Sequence, residues 1–436
     1  MSTLRAGAAQ IEITPKDSQF LLGYPHVERY STGVHDPLWA SALYLSDGKE
    51  RTLFVANDII FIAKKNVLQA RKRIEEQTGV SAANIMITSS HTHSGPHTVG
   101  YVSFEADPAV PDPDPEYVRF LEDCIVEAAV KAVENAQPAK AGLAIADDTG
   151  VGTNRRDPSG PADHNVPVLM VKNAETDANI ACMLVCSMHP TVIHEDISLV
   201  TGDFPSLARQ YLQRNVVGEE CPVVYHMGPS GNQSPRHVTK ANTFEEVERI
   251  GQILGRAVEK ALPGISYSSE LVVSVKNTEL ADLPRKTFPD VAEAQAKLEK
   301  AVERLETLRI TGESKQETRT AECDWFGAEE TLTMAKMATT GRLDEAYESV
   351  LPAEIQIIKV GDWSFAGWQG EVFIEFALAV KEQAENSFVI SLANGEMQGY
   401  LVTEEAALEG GYEASNSLFS FEAGGVFVEK TLELMK

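Results

Sequence analysis

Two histidines one residue apart, His91 and His93, follow the short apolar run Ile85–Ser89 and precede Ser94, Gly95 and Pro96. If that segment is extended, residues i and i+2 share a face and both imidazoles can approach one point. Neutral imidazole suits zinc, so such a pair can open a metal site. Ten histidines in 436 residues also bring two together by chance, and both readings stand on the doublet alone. His189 closes the apolar run 180–187 and is followed by Pro190, a place where α/β enzymes carry ligands and where core histidines also sit. His194, Glu195 and Asp196 could bind a metal too, but they lie in a polar stretch and read rather as solvated.

Four further features could do chemistry. Residues 228–235 form a Gly/Ser-rich turn containing Ser234, able to expose backbone N–H groups to an anion or to position a hydroxyl. It is not G-x-S-x-G, so the nucleophile-elbow reading fails. Arg155, in a Gly/Pro-rich region, could clamp a carboxylate or an oxyanion, or be plain surface. Glu371 follows an aromatic run ending in Gly370 and is either a helix-start charge or a ligand. Tyr400 and Tyr412 lie among Gly395, Gly399, Gly410 and Gly411, where tyrosines usually act as half-buried hydrogen-bond donors.

The elements around these residues alternate between strand and helix signals. Strands are expected at 8–13, 40–45, 52–60, 85–89, 166–171, 180–187, 223–226, 271–275, 355–360, 363–366 and 389–392, and helices at 64–77, 117–134, 203–214, 244–261 and 371–381. Pro108, Pro111, Pro113 and Pro115 predict an irregular surface excursion after the histidine pair, which could wall any site there or be a plain surface loop. Val291, Leu298, Val302, Leu305 and Leu308 recur at helical spacing, and 324–337 reads as a second helix. The expectation is one α/β domain over residues 1–436, with mixed β-sheets flanked by helices and a helical hairpin inserted at 288–340.

Composition narrows the function classes. Hydrophobic residues at 43% and charged residues at 23% give a globular chain with a sizeable core. The formal charge of −26 works against nucleic acid and anionic membranes as partners. Five cysteines, none in CxxC spacing, read as reduced thiols. With no leader-like start and no apolar run of transmembrane length, a cytoplasmic protein is expected.

Seven blocks fall in order along one family. They are residues 33–38, Ser90 to Pro96, Asn154-Arg155, Met188 to Thr191 with Thr201-Gly202-Asp203, Gly231 to Pro235, Gly370-Glu371, and Asn394 through Ser415. In these the chain resembles the catalytic domain of the neutral/alkaline non-lysosomal ceramidases and their bacterial relatives. The resemblance implies a zinc amidohydrolase of that fold, cleaving an N-acyl amide by attack of zinc-bound water. It implies His91, His189, Glu371 and Tyr400 as zinc ligands. It makes His93 a proton-transfer residue, places Arg155 and Tyr412 at the scissile carbonyl, and gives Ser234 a role as substrate binder or nucleophile. Asn232 and Arg236 stand where the family usually carries aspartate and asparagine. A secretion signal and the C-terminal immunoglobulin-like domain are expected to be missing.

A metallo-β-lactamase-like pattern needs Asp and His where Gly95 and Pro96 stand. A hydrolase acting on another bond and a non-catalytic zinc-stabilised binding protein are the remaining alternatives. A bilayer substrate needs an anchor, a basic surface or an apolar rim. Only Phe104 and the proline stretch could supply a rim, so the expected substrate is a smaller, water-soluble molecule.

Overall fold

The computed structural model describes residues 3–436. Twelve strands build two sheets, and the strands of each lie in a simple order. Arg5–Glu12 (β1), Trp39–Ser46 (β2), Arg51–Asn57 (β3) and Ile85–Ser89 (β4) form one unit. Gln137–Asp147 (β5), Asn165–Asn173 (β6), Asn179–Cys186 (β7) and Val223–Met227 (β8) form a second. β1 pairs with β5 at its start, giving an eight-stranded sheet ordered β8-β7-β6-β5-β1-β2-β3-β4. Val273–Leu280 (β9), Ala353–Val360 (β10), Trp363–Trp368 (β11) and Ser387–Ile390 (β12) make a separate sheet in that order.

The three units share one topology. Their first two joins are antiparallel, and the last is parallel across an intervening helix. That helix is Lys64–Thr78 (α1) in the first unit, Asp203–Leu212 (α3) in the second and Ile374–Gln383 in the third. A parallel join needs a crossover, and a helix is the usual one. Pro115–Glu134 (α2), Phe244–Ala261 (α4) and Glu422–Met435 then follow the fourth strands. This threefold pattern leaves no short sequence period, because each unit spans over a hundred residues.

The strands that enter the core are apolar on both faces, as layers covered on two sides must be. The sheets pack face to face through Leu43, Phe54, Met86, Ile358, Phe365 and Phe388. Phe54 and Phe365 meet edge to face with centroids 5.7 Å apart. α1 and α2 cover the outer face of the first unit, and α3 and α4 that of the second. The C-terminal helix packs its Phe427 against Trp368 on the outside of the small sheet. A buried ion pair from Asp58, just after β3, to Arg209 on α3 ties the first two units together. Asp58→Ala would leave the guanidinium buried and alone, and a urea titration should show a loss of about 3–5 kcal/mol.

Several expected elements shift. Residues 137–147 form a strand that the sequence reading leaves out; Ala139, Ala141, Gly142, Ala144 and Ala146 give it little intrinsic strand preference, and its pairing with β6 supplies the order. The strand expected over 52–60 stops at Asn57. The helix expected to start at Glu371 starts at Ile374, because Glu371–Val372 pairs in parallel with Tyr400–Leu401. The helix expected over 203–214 ends at Leu212 and continues as a π turn, Gln213–Val217. Val291–Thr311 (α5) and Lys315–Thr340 (α6) lie between β9 and β10, with α6 starting nine residues before the expected 324. A turn of 3-10 helix, Val102–Ala106, lies between the histidine pair and the proline stretch, which is itself irregular. Among the described residues no helix is long and apolar enough to cross a membrane.

Candidate active site

The threefold pattern explains how residues far apart in sequence converge. Counting three residues past the end of the third strand reaches Ile60 in the first unit, His189 in the second and Glu371 in the third. The loops after the fourth strands bring His91, the turn with Ser230 and Ser234, and the segment ending in Tyr400. The loops between the first two strands bring Tyr24, Arg155 and the α5–α6 hairpin.

His91, His93 and His189 form one cluster, with ligand nitrogens within 4.8 Å of one another. The pair does not converge through strand alternation. β4 ends at Ser89, and His91 has φ +66°, a left-handed conformation rare for a histidine. That turn brings Nε2 of His93 to 3.4 Å from Nε2 of His91. Nor do the two form a surface lip, since His91 is fully buried and His93 half-buried. Gly23 packs flat on the His93 ring, where a Cβ would stand 2.6 Å from Cγ. Arg29, 2% exposed, donates to the His93 carbonyl at 2.6 Å and fixes that loop.

The hydrogen bonds around His91 and His189 decide their tautomers. His91 Nδ1 faces the Ile60 carbonyl at 3.1 Å, and His189 Nδ1 faces the Ser230 carbonyl at 2.8 Å. A carbonyl only accepts, so each ring carries its proton on Nδ1 and presents a lone pair at Nε2. These Nε2 atoms stand 2.8 Å apart, and each lies 3.3 Å from Oε2 of Glu371. That oxygen is buried and makes no hydrogen bond. Three electron pairs thus face one point with no proton between them, an arrangement that a cation relieves. The N/O donor set fits a divalent transition metal. Burial pushes the His189 imidazole down to about 4, with His91 and Arg155 adding, which keeps its lone pair available.

The other candidates surround this point. Tyr400 is strand partner to Glu371, and its hydroxyl accepts from Arg155 Nη2 at 3.1 Å. Burial works against the charge of Arg155, yet Tyr400 and Glu413 hold its guanidinium firmly protonated. The sequence reading missed Glu413, which accepts from Arg155 Nε and Arg156 Nη1, each at 2.9 Å; its place next to Tyr412 was the available signal. Tyr412 packs edge to face on Tyr400 at 5.9 Å. Ser234 is buried on a two-residue strand paired with Thr153–Asn154, beside Arg155. Its hydroxyl accepts from Arg236 N at 3.2 Å, and among the described residues no imidazole hydrogen-bonds to it. Asn232 braces the same turn by accepting from Ile374 N. Gly231 lets it approach, since a Cβ there would lie 2.7 Å from the Glu371 carbonyl.

Two cavities meet at His93, Tyr400 and Tyr412. One holds His91 and Glu371 and is walled by Phe61, Phe104 and Phe326. The other is more polar and holds Arg155 and Ser234. His194 is exposed and lies at the second cavity, apart from the cluster. Other matched blocks turn out to be braces: Asp36 accepts from Gly202 N at 3.0 Å, and Asp203 from Val192 N and Ile193 N, each at 3.0 Å.

Residues 5–225 match the family described as neutral/alkaline non-lysosomal ceramidase, N-terminal. A neutral ceramidase from Mycobacterium tuberculosis is 23% identical over 218 residues, 46% of this chain and 34% of that one. The matched stretch therefore spans about a third of the curated relative. Among solved structures, neutral ceramidase from Pseudomonas aeruginosa superposes with a TM-score of 0.77 at 16% identity, covering 100% of this chain and 74% of its own. A ceramidase complexed with C2 gives 0.74 at 15% identity, covering 100% and 75%. The mixed α/β fold is that of these structures, and the chain belongs to the neutral/alkaline non-lysosomal ceramidase family.

Proposed function

We propose that the chain is a zinc-dependent amidohydrolase that cleaves an N-acyl amide. The observation that carries this is the set of opposed lone pairs on His91 Nε2, His189 Nε2 and Glu371 Oε2. In this reading those three residues hold the metal and Tyr400 completes the set. When bound, zinc polarises the scissile carbonyl and lowers the pKa of a water toward neutrality.

The chain's own residues do the rest. Arg155, fixed by Glu413 and Tyr400, aims a positive charge where the carbonyl oxygen gains electron density, and one such donor is typically worth about 3 kcal/mol. Tyr412 faces the same carbonyl from the junction of the two cavities. His93 takes the proton of the attacking water at Nε2 and returns it to the departing amine nitrogen. Ser234 orients the substrate. With no imidazole on its hydroxyl it lacks the base a serine nucleophile needs. Ser234→Ala should therefore lower kcat/KM only about tenfold, because a positioning hydrogen bond is lost; a covalent acyl-Ser234 adduct trapped by mass spectrometry would refute this.

The substrate we propose is small and water-soluble. Phe104, which could have formed an apolar rim, instead packs on His97 and Tyr101 with centroids at 5.6 and 5.3 Å. The charge of −26 opposes docking on an anionic leaflet. Five free thiols, four of them buried, suit the cytoplasmic setting that belongs to this reading. The test is hydrolysis of short N-acyl amides in buffer beside a long-chain ceramide in mixed micelles. Turnover of the short amides, abolished by a chelator and restored by zinc, is expected; cleavage of the ceramide alone would contradict the assignment.

A further inference from the structure

The cavity that contains His91 and Glu371 has a second chemical character, supplied by residues with no part in the hydrolytic steps. Its sides are apolar at Leu22, Ile60, Phe61, Phe104 and Phe326. Three more of its residues each carry a buried polar atom without a partner: the Tyr101 hydroxyl, Gln398 Nε2 and Asn416 Oδ1. Gln398 is 6% exposed and Asn416 9%. Buried polar groups are almost always paired in folded proteins, so three orphans around one cavity mark the space for a polar ligand. Gln398 is also held at φ +57°, a strained conformation that a glutamine rarely adopts and that clusters at ligand sites.

α6 adds two carboxylates to the same cavity. Glu329 meets His26 Nε2 at 2.6 Å. Glu330, among the described residues, forms no ion pair. The nearby cation Lys286 gives its Nζ to the carbonyls of Ala414 and Ser415, at 2.7 and 3.0 Å. Burial pushes the Glu330 carboxyl up to about 7, against the pull of Ser103 and Lys286 and with Glu371 adding to the rise. Glu330 is half-buried, and a carboxylate so placed without an ion pair carries a desolvation cost that a cationic ligand would reduce.

We propose that this cavity binds an ammonium group of the substrate, with Glu330 as its counter-ion, so that the substrate class is an N-acyl amide carrying a second, protonated amine. An ammonium offers three donors, and Glu330, Asn416 Oδ1 and the Tyr101 oxygen are three acceptors. Gln398 Nε2 remains to donate to a carbonyl or hydroxyl oxygen of the same molecule. A plain alkyl chain would leave the Tyr101, Asn416 and Gln398 atoms unsatisfied and Glu330 without an ion pair. The scissile bond rests on the amidohydrolase reading; the ammonium site does not.

The experiment has two arms on the full chain. Calorimetry compares 1,4-diaminobutane with 1,4-butanediol, in the wild type and in Glu330→Gln. The diamine should bind more tightly than the diol, and the substitution should cut that preference roughly 10- to 100-fold. Asn416→Ala is the second variant, with a several-fold loss expected. Unchanged diamine binding in both variants would overturn the proposal. The kinetic arm compares N-acetyl-1,4-diaminobutane with N-acetylbutylamine, and the cationic amide should have the higher kcat/KM. Equal cleavage of the two overturns the ammonium site and leaves the amidohydrolase standing. Glu330-dependent diamine binding with neither amide cleaved keeps the ammonium site and removes the amidohydrolase.

Discussion

Replacing His189 by Ala is expected to remove most of the bound zinc and to lower activity by more than about 100-fold. Loss of a group that merely orients a ligand typically costs 10- to 100-fold in metal affinity or activity, so loss of the ligand itself should exceed that. Here the orienting groups are the backbone carbonyls of Ile60 and Ser230, which no side-chain substitution removes. In the proposed site the two imidazoles and Glu371, with Tyr400, are therefore the side chains whose substitution should dismantle it. Metal analysis of the purified variant beside its turnover checks this. Full zinc occupancy with normal affinity would mean that His189 is not a ligand.

Arg155→Ala should lower kcat about 10²- to 10³-fold with a much smaller change in KM, as expected for a donor used mainly in the transition state. The fold should tolerate it. Glu413 keeps Arg156 at 2.9 Å, so it is not left as a lone buried charge. Arg155→Lys should recover only part of the loss, because an ammonium cannot hold Glu413 and the Tyr400 hydroxyl together as the guanidinium fork does. Steady-state kinetics with a parallel melting curve separates the two effects. A variant that unfolds would show a structural role, and an unchanged kcat would take Arg155 out of the chemistry.

How much of this was legible in the sequence depended on whether the signal was local. The apolar runs that became β4 and β7 and the helical spacing of α1, α4 and α5 were readable, because burial on one face or two dictates residue type. His91 and His93 stood out by spacing, yet their geometry did not follow from it: the positive φ of His91, not strand alternation, brings the rings together. Glu371 looked like a helix start because Gly370 precedes it, and only its pairing with Tyr400, 29 positions on, made it a strand residue. Residues 137–147 gave no strand signal, since a run of alanines and a glycine is ordered there by neighbours on either side. Glu330 and Gln398 were invisible as site residues because nothing local marks which loop closes on which cavity. The three units hide for the same reason, since their resemblance lies in hydrogen-bond pattern and not in residue type.

The most direct test of the central claim is zinc-edge X-ray absorption, with metal stoichiometry, on the purified full chain. The account predicts one zinc per chain, ligated only by nitrogen and oxygen at about 2.0–2.2 Å, with histidine scattering that disappears in His91→Ala and His189→Ala. Fully active protein that binds no metal, or a zinc with sulfur neighbours, would contradict it.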